Sequence, residues 1–258
     1  MSTIDKHEVG TPTWMDLMTL DLDKARAFYG DLFGWTFDIG PKEAGYYTLC
    51  QLGGRPVAGL GLKPPDQPRF AVWNLYFEVD DVDAACARAE KLGGKVVMRP
   101  RDVPESHRIA FCVDPTGATF GLWQSRQHTG AQAVGEPGAM VWHEVLTRDA
   151  TRDRAFYTAL LGLNDEKVED VGVDYWALNK GRDVVAGVLQ MDASWPRDIP
   201  ANWMNYFAVE DTDAAAKRVT ELGGEVKQPP TDSPYGRFSV VSDSQGGVFT
   251  LIKPMPPS

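Results

Sequence analysis

Cysteine, histidine and positive charge are all scarce in this chain, and each scarcity removes a class of function. Three cysteines (Cys50, Cys86, Cys112) stand in apolar surroundings with no CxxC pair and an odd total. That excludes a disulfide framework, reads as three small buried hydrophobes and fits a reduced, cytoplasmic setting. Twenty-six basic residues against 36 acidic ones leave a net charge of −10. A surface of that sign repels nucleic acid and anionic membrane, so neither is expected as a partner. There is no run of 18 apolar residues, and the opening MSTIDKHEVGTPTW lacks the apolar core of a signal peptide. Glycine-rich phosphate loops and Gly-x-Ser-x-Gly nucleophile elbows are missing too. The 43% of hydrophobic residues nevertheless suffices for a real core.

What the chain does have is repetition. At an offset of 128, residues 14–35 and 142–163 share Trp, Thr, Asp, Arg, Ala, Phe, Tyr, Leu and Gly, nine identities in 22 positions. A weaker echo at an offset of 60 matches Asp21, Asp23, Ala25, Leu32 and Gly34 to Asp81, Asp83, Ala85, Leu92 and Gly94. Two halves, each made of two related units, account for both.

Read in order, residues 1–13 are polar and expected to fray. WMDLMTL is a strand, Asp21 caps a helix running to about Leu32, and Gly34 stops it. WTFDI, YYTLCQL and PVAGLGLK follow as strands between Gly-rich turns, and KPPDQP (63–68) links to the next unit. That unit repeats the plan with WNLYFEV, a helix from Asp81 to Leu92 and three strands, the last preceded by the DPTG turn. RQHTGAQAVGEPG (126–138) reads as a linker between a first domain, 1–125, and a second, 139–258. The second half repeats the order from VWHEVLT, with helices starting at Asp149 and Asp211 and a DSQG turn before the closing strand. The expected fold is therefore α+β, four βαβββ modules in two pairs.

Three features carry a resemblance: strand–Asp–x6–PheTyr–x4–Gly in each half, the mid-half helix ending in LeuGlyGly, and DPTG or DSQG before the last strand. With these the chain resembles the vicinal oxygen chelate superfamily, which includes glyoxalase I, extradiol dioxygenases and the bleomycin- and fosfomycin-resistance proteins. The likeness implies two glyoxalase-like domains with curled mixed sheets, each enclosing a cleft for a ligand or metal. Metal-using members place a His seven residues before the capping Asp; here Trp14 and Trp142 stand there, and Asn74 and Met204 hold the equivalent place in the second modules. The glutamate that follows the turn glycine by four residues is replaced by Gly121 and Thr250, and PVAGLGL and VVAGVLQM offer no His or carboxylate. A zinc, nickel or iron site needs three or four converging donors. Of the four histidines, His7 and His128 fall in tail or linker, His107 matches no ligand position, and His143 is one residue out of phase, hence on the opposite face of its strand and near the interdomain seam. No metal and no cofactor is expected.

Period-two alternation puts Trp14, Asp16 and Met18 on the first cleft face, joined by Asn74, Tyr76 and Trp123. Trp142, Glu144 and Leu146 face the second, with Met204, Tyr206 and Ile252. An aromatic wall with one acid is the make-up of a small-molecule site for a flat or cationic ligand. The indole rings equally suit a cleft filled by its own side chains, and the acids suit a solvated rim. Three functions follow in order: a metal-free protein binding an aromatic or cationic metabolite or antibiotic; an enzyme of secondary metabolism, of hydroxylase, oxygenase, isomerase or lyase type or auxiliary to one, with Asp16 or Glu144 as acid or base, its pKa raised by the Trp wall; and a structural module with plugged clefts. The chain is expected as a monomer of paired domains or as a homodimer.

Overall fold

Four aspartates start four helices. In the computed structural model, which describes residues 3–64, 69–104 and 106–255, the side chains of Asp21, Asp81, Asp149 and Asp211 accept from backbone N–H groups two or three residues on. Those are donors that a first helical turn leaves unpaired. The helices are α1 (Leu22–Phe33), α2 (Val82–Lys91), α3 (Ala150–Leu161) and α4 (Thr212–Glu221). Gly34 and Gly162 end α1 and α3 in the left-handed region, at φ 71° and 67°, a conformation that costs glycine nothing.

Around these helices the strands form two eight-stranded sheets of identical plan. The first half supplies β1 (Pro12–Thr19), β2 (Thr36–Ile39), β3 (Thr48–Leu52), β4 (Arg55–Leu62), β5 (Val72–Glu78), β6 (Lys95–Val103), β7 (His107–Val113) and β8 (Thr119–Ser125). Their order is β2-β3-β4-β1-β5-β8-β7-β6. The second half supplies β9 (Met140–Thr147), β10 (Asn164–Val168), β11 (Tyr175–Lys180), β12 (Asp183–Gln190), β13 (Asn202–Ala208), β14 (Glu225–Ser233), β15 (Gly236–Ser242) and β16 (Val248–Pro254), in the matching order β10-β11-β12-β9-β13-β16-β15-β14. Each module closes on a parallel pair, such as β1 with β4, and the two modules of a half meet in one antiparallel pair, β1 with β5 or β9 with β13. Strand–helix–three strands, four times over, is thus the observed architecture. Of the KPPDQP linker, residues 65–68 lie outside the described part.

The helix-bearing faces of the two sheets meet, and one aromatic core runs through the seam. Phe33 stacks on Phe207 at 5.0 Å, Trp73 tilts against Phe207 at 5.1 Å, and Phe77 meets Trp203 edge-on at 5.1 Å. The DPTG and DSQG turns belong to this seam. Tyr29 of α1 donates to Asp243 at 2.8 Å and accepts from the Trp73 indole; Tyr157 of α3 donates to Asp114 at 2.8 Å and accepts from Trp203. His143, out of phase with the site face as expected, is buried on this side against Asn205 at 2.9 Å.

Two expectations need correction. Residues 3–11 are tied down rather than frayed: Ile4 N donates to Gln132 O, His7 Nε2 lies 2.8 Å from Ala131 O, and Gly10 N donates to Glu78 O. Nor is 126–138 a loose spacer. His128 N reaches Ser106 O, Ala131 N reaches Thr13 O, and Gln132 N reaches Pro56 O. Buried backbone groups demand partners, and a polar, Gly-containing segment can find them by lying along a sheet instead of leaving it.

Candidate ligand site

Alternation along β1 and β5 turns Trp14, Asp16, Asn74 and Tyr76 away from the seam, and register pairs Asp16 with Asn74 and Trp14 with Tyr76. There Asp16 is caged by donors. Asn74 Nδ2 lies 2.8 Å from Oδ1, Tyr76 OH 2.9 Å and Tyr47 OH 3.3 Å from Oδ2, while the Trp14 indole donates to Tyr47 at 3.1 Å. The second half repeats the relay. Trp142 donates to Tyr175 at 2.9 Å, Tyr175 to Glu144 Oε2 at 2.8 Å, and Tyr206 to Oε1 at 2.6 Å. Burial raises the pKa of both acids, and the hydrogen bonds only partly oppose it. The four tyrosines are in turn raised by burial and by the carboxylate each one faces.

Tyr47 and Tyr175 escaped the sequence reading, although the 128-residue offset that pairs Trp14 with Trp142 pairs them too, and pairs Gly59 with Gly187. A Cβ on Gly59 would lie 1.9 Å from Tyr47 OH, and one on Gly187 2.0 Å from Tyr175 OH. Glycine there is what lets the tyrosine reach the acid.

The expected residues fall into two groups. Trp14, Asp16, Asn74, Tyr76 and Trp123 share one first-half cluster, with Met18 further along the row against Gly61. Trp142, Glu144, Met204 and Tyr206 share the second, with Leu146 next on the row; Ile252 lies beyond them, beside Ala208 and Phe238.

The halves then diverge. In the first, His107 stacks on Trp123 at 3.6 Å between ring centroids, and His128, from the supposed linker, sets its edge on Trp14 at 4.7 Å and on Trp123 at 5.1 Å. Residues 126–132 therefore form a strap over this end of the face, and Trp14 is fully buried beneath it. A groove of about 380 Å³ lies beside the strap, among Leu49, Pro56, Ser106, His128 and Gln132. Burial and the neighbouring positive groups depress His107 to a pKa of about 3, and burial alone takes His128 to about 4. In the second half Trp142, Met204 and Tyr206 are only half-buried.

At the places where a metal would be held stand Trp14, Asn74 and Gly121 in one half and Trp142, Met204 and Thr250 in the other. Tyr76 occupies the room a longer side chain at residue 121 would need, since a Cβ there would meet its ring at 2.1 Å. Among the described residues no group of three or more His, Cys, Asp or Glu converges. This donor set does not fit a metal ion.

Fold and site together define a tandem pair of βαβββ domains, each built round one buried acid. The chain belongs to the Glyoxalase/Bleomycin resistance protein/Dioxygenase superfamily, whose family model matches residues 11–122 and again 132–250. It is 40% identical over 257 residues to "Putative glyoxylase CFP32" of Mycobacterium tuberculosis (strain CDC 1551 / Oshkosh), covering 97% of each chain. It is 34% identical over 258 residues to the anthracycline biosynthesis protein DnrV of Streptomyces peucetius, covering 95% of this chain and 93% of the relative. Among solved structures, the Mn(II)-bound glyoxalase from Novosphingobium aromaticivorans superposes with a TM-score of 0.66 at 19% identity, over 95% of this chain and 82% of that one. At that identity the likeness is one of fold.

Proposed function

We propose that this protein binds a flat aromatic small molecule without a metal, on the outer face of its second half. The observation that carries the reading is the Trp142–Tyr175–Glu144–Tyr206 network, an acid held by neutral donors under half-buried aromatic rings. Indole and phenol faces stack on planar rings, and the acid draws a cation or a hydrogen-bond donor toward them. A relative matched over 95% of this chain and 93% of its own length, and named for anthracycline biosynthesis, supports an aromatic ligand. In the first half the strap gives the equivalent residues a structural role. Calorimetric titration with planar hydroxylated anthraquinones tests the reading. The expected result is one saturable site per chain, weakened by Trp142→Ala and unaffected by chelators. No binding across the series would overturn it.

A second reading has its own support. Burial raises the pKa of Glu144 beside two tyrosine hydroxyls, the setting of a general acid or base. Turnover of a bound anthraquinone that disappears in Glu144→Gln while binding persists would establish it.

A further inference from the structure

The cages round Asp16 and Glu144 share two arms and differ in the third. In each, a tryptophan-oriented tyrosine at the entry to the third strand (Tyr47 just before it, Tyr175 its first residue) and a tyrosine of the antiparallel partner strand donate to the acid. Asp16 has one more donor, the amide of Asn74, its cross-strand partner. The partner of Glu144 at the same register is Met204, which has no hydrogen to give. A carboxylate offers about four lone-pair directions. Asp16 has three filled by protein, and Arg101 adds a favourable field. Glu144 has two filled, by Tyr175 and Tyr206. The Trp142 indole also favours the charged form of Glu144, but its single hydrogen is directed at Tyr175, 2.9 Å away.

Both acids are nearly equally buried, with 5% and 6% of their surface exposed. A buried carboxylate short of donors is costly, and the second half carries this cost at the cage that no strap among the described residues covers. Met204, half-buried and unbranched, is a cover that moves readily.

From this difference we infer that the second-half site selects a ligand that presents a hydrogen-bond donor, a ring hydroxyl or an ammonium, to Glu144, and that Met204 keeps that place open. The inference rests on the proposed function and deepens it by naming what the aromatic ligand must carry. The tyrosine hydroxyls already donate to the acid, so a ligand's acceptors gain little here. Specificity comes from its donor, and affinity from stacking on Trp142.

Three probes test this by calorimetry on the full chain: 2,6-dihydroxyanthraquinone, its dimethyl ether, and protonated 2-(aminomethyl)anthraquinone. The rings are alike and the donors differ. The dihydroxy or the aminomethyl compound is expected to bind roughly tenfold or more tighter than the ether, the worth of one charge-assisted hydrogen bond, and their ranking tells hydroxyl from ammonium. Met204→Asn supplies the missing amide from the protein and is expected to erase that preference; its melting temperature, measured alongside, reports whether it folds. Saturable but equal binding of all three compounds by the wild-type chain would overturn the inference and leave the binding reading standing. No saturable binding by any of the three would overturn both.

Discussion

The hydroxyl of Tyr29 donates to Asp243 across the seam between the halves, 2.8 Å apart in space and 214 residues apart in sequence. Tyr157 and Asp114 make the reciprocal bond. The PheTyr pair and the DPTG and DSQG turns, which mark the family in the sequence, are here the parts that dock one half on the other. Their backbone geometry explains the aspartate: Oδ1 of Asp243 accepts from the N–H groups of Gln245 and Gly247, leaving Oδ2 for the tyrosine.

Removing either hydroxyl orphans a buried carboxylate oxygen. Tyr29→Phe and Tyr157→Phe are each expected to cost about 1–3 kcal/mol of stability. Urea denaturation measures it, and the double variant should lose close to the sum because the two bonds share no partner.

A third acid makes the seam sensitive to pH. Asp153, at the start of α3, is fully buried, and Thr116 Oγ1 lies 2.9 Å from its Oδ2 and 3.0 Å from Asp114 Oδ1. One hydroxyl hydrogen serves only one of these acceptors, so a proton on Asp153 completes the chain. Burial, with Asp114 nearby, raises its pKa to about 7. The folded chain then holds a proton that the unfolded chain has lost above about pH 4. Stability falls as pH rises from about 4 to about 7, by up to about 1.4 kcal/mol per unit, and is level beyond. Asp153→Asn should flatten that slope and be the more stable form at pH 8, as denaturation midpoints at several pH values will show.

The strap responds in the opposite sense. His128 Nδ1 accepts from Gly130 N at 3.1 Å, so the neutral ring carries its hydrogen on Nε2. A folded pKa of about 4 lies below the usual 6.5. The stabilisation is complete above about pH 6.5 and is lost as pH falls toward 4. Amide exchange in residues 126–132 should therefore speed up between pH 7 and pH 5, relative to the intrinsic rate. The change should shrink in His128→Leu, with His107 supplying what remains.

Gly187→Ala and Gly59→Ala should each destabilise the chain by about 1–3 kcal/mol through overpacking, because a methyl group strikes the tyrosine oxygen. Only Gly187→Ala is expected to weaken anthraquinone binding, since only the second cage is proposed to hold ligand. Loss of binding in both variants would point to the first half or to the seam as the working part. Melting curves and calorimetry on the same samples separate the two effects.

Much of this was legible without coordinates. Aspartate caps, glycine stops and apolar alternation are local signals, and all four helix starts and both site rows follow from them. The 128-residue offset carries the pairing of Trp14 with Trp142 and of Asp16 with Glu144, and would have yielded Tyr47 and Tyr175 had it been followed into the third strand. No local signal marks His128 as a residue that packs on Trp14, because linker composition says nothing about where a segment lies once its backbone finds partners.

The sequence by itself determined the modules, their duplication and the face on which each acid stands, because periodicity and capping depend on neighbours a few residues away. Only the tertiary structure decided that the family's turn motifs join the halves, that residues 126–132 strap the first site face, and that Asn74 completes a cage which Met204 leaves short. Those outcomes depend on which side chains meet across more than a hundred residues of chain, and packing settles that, not pattern.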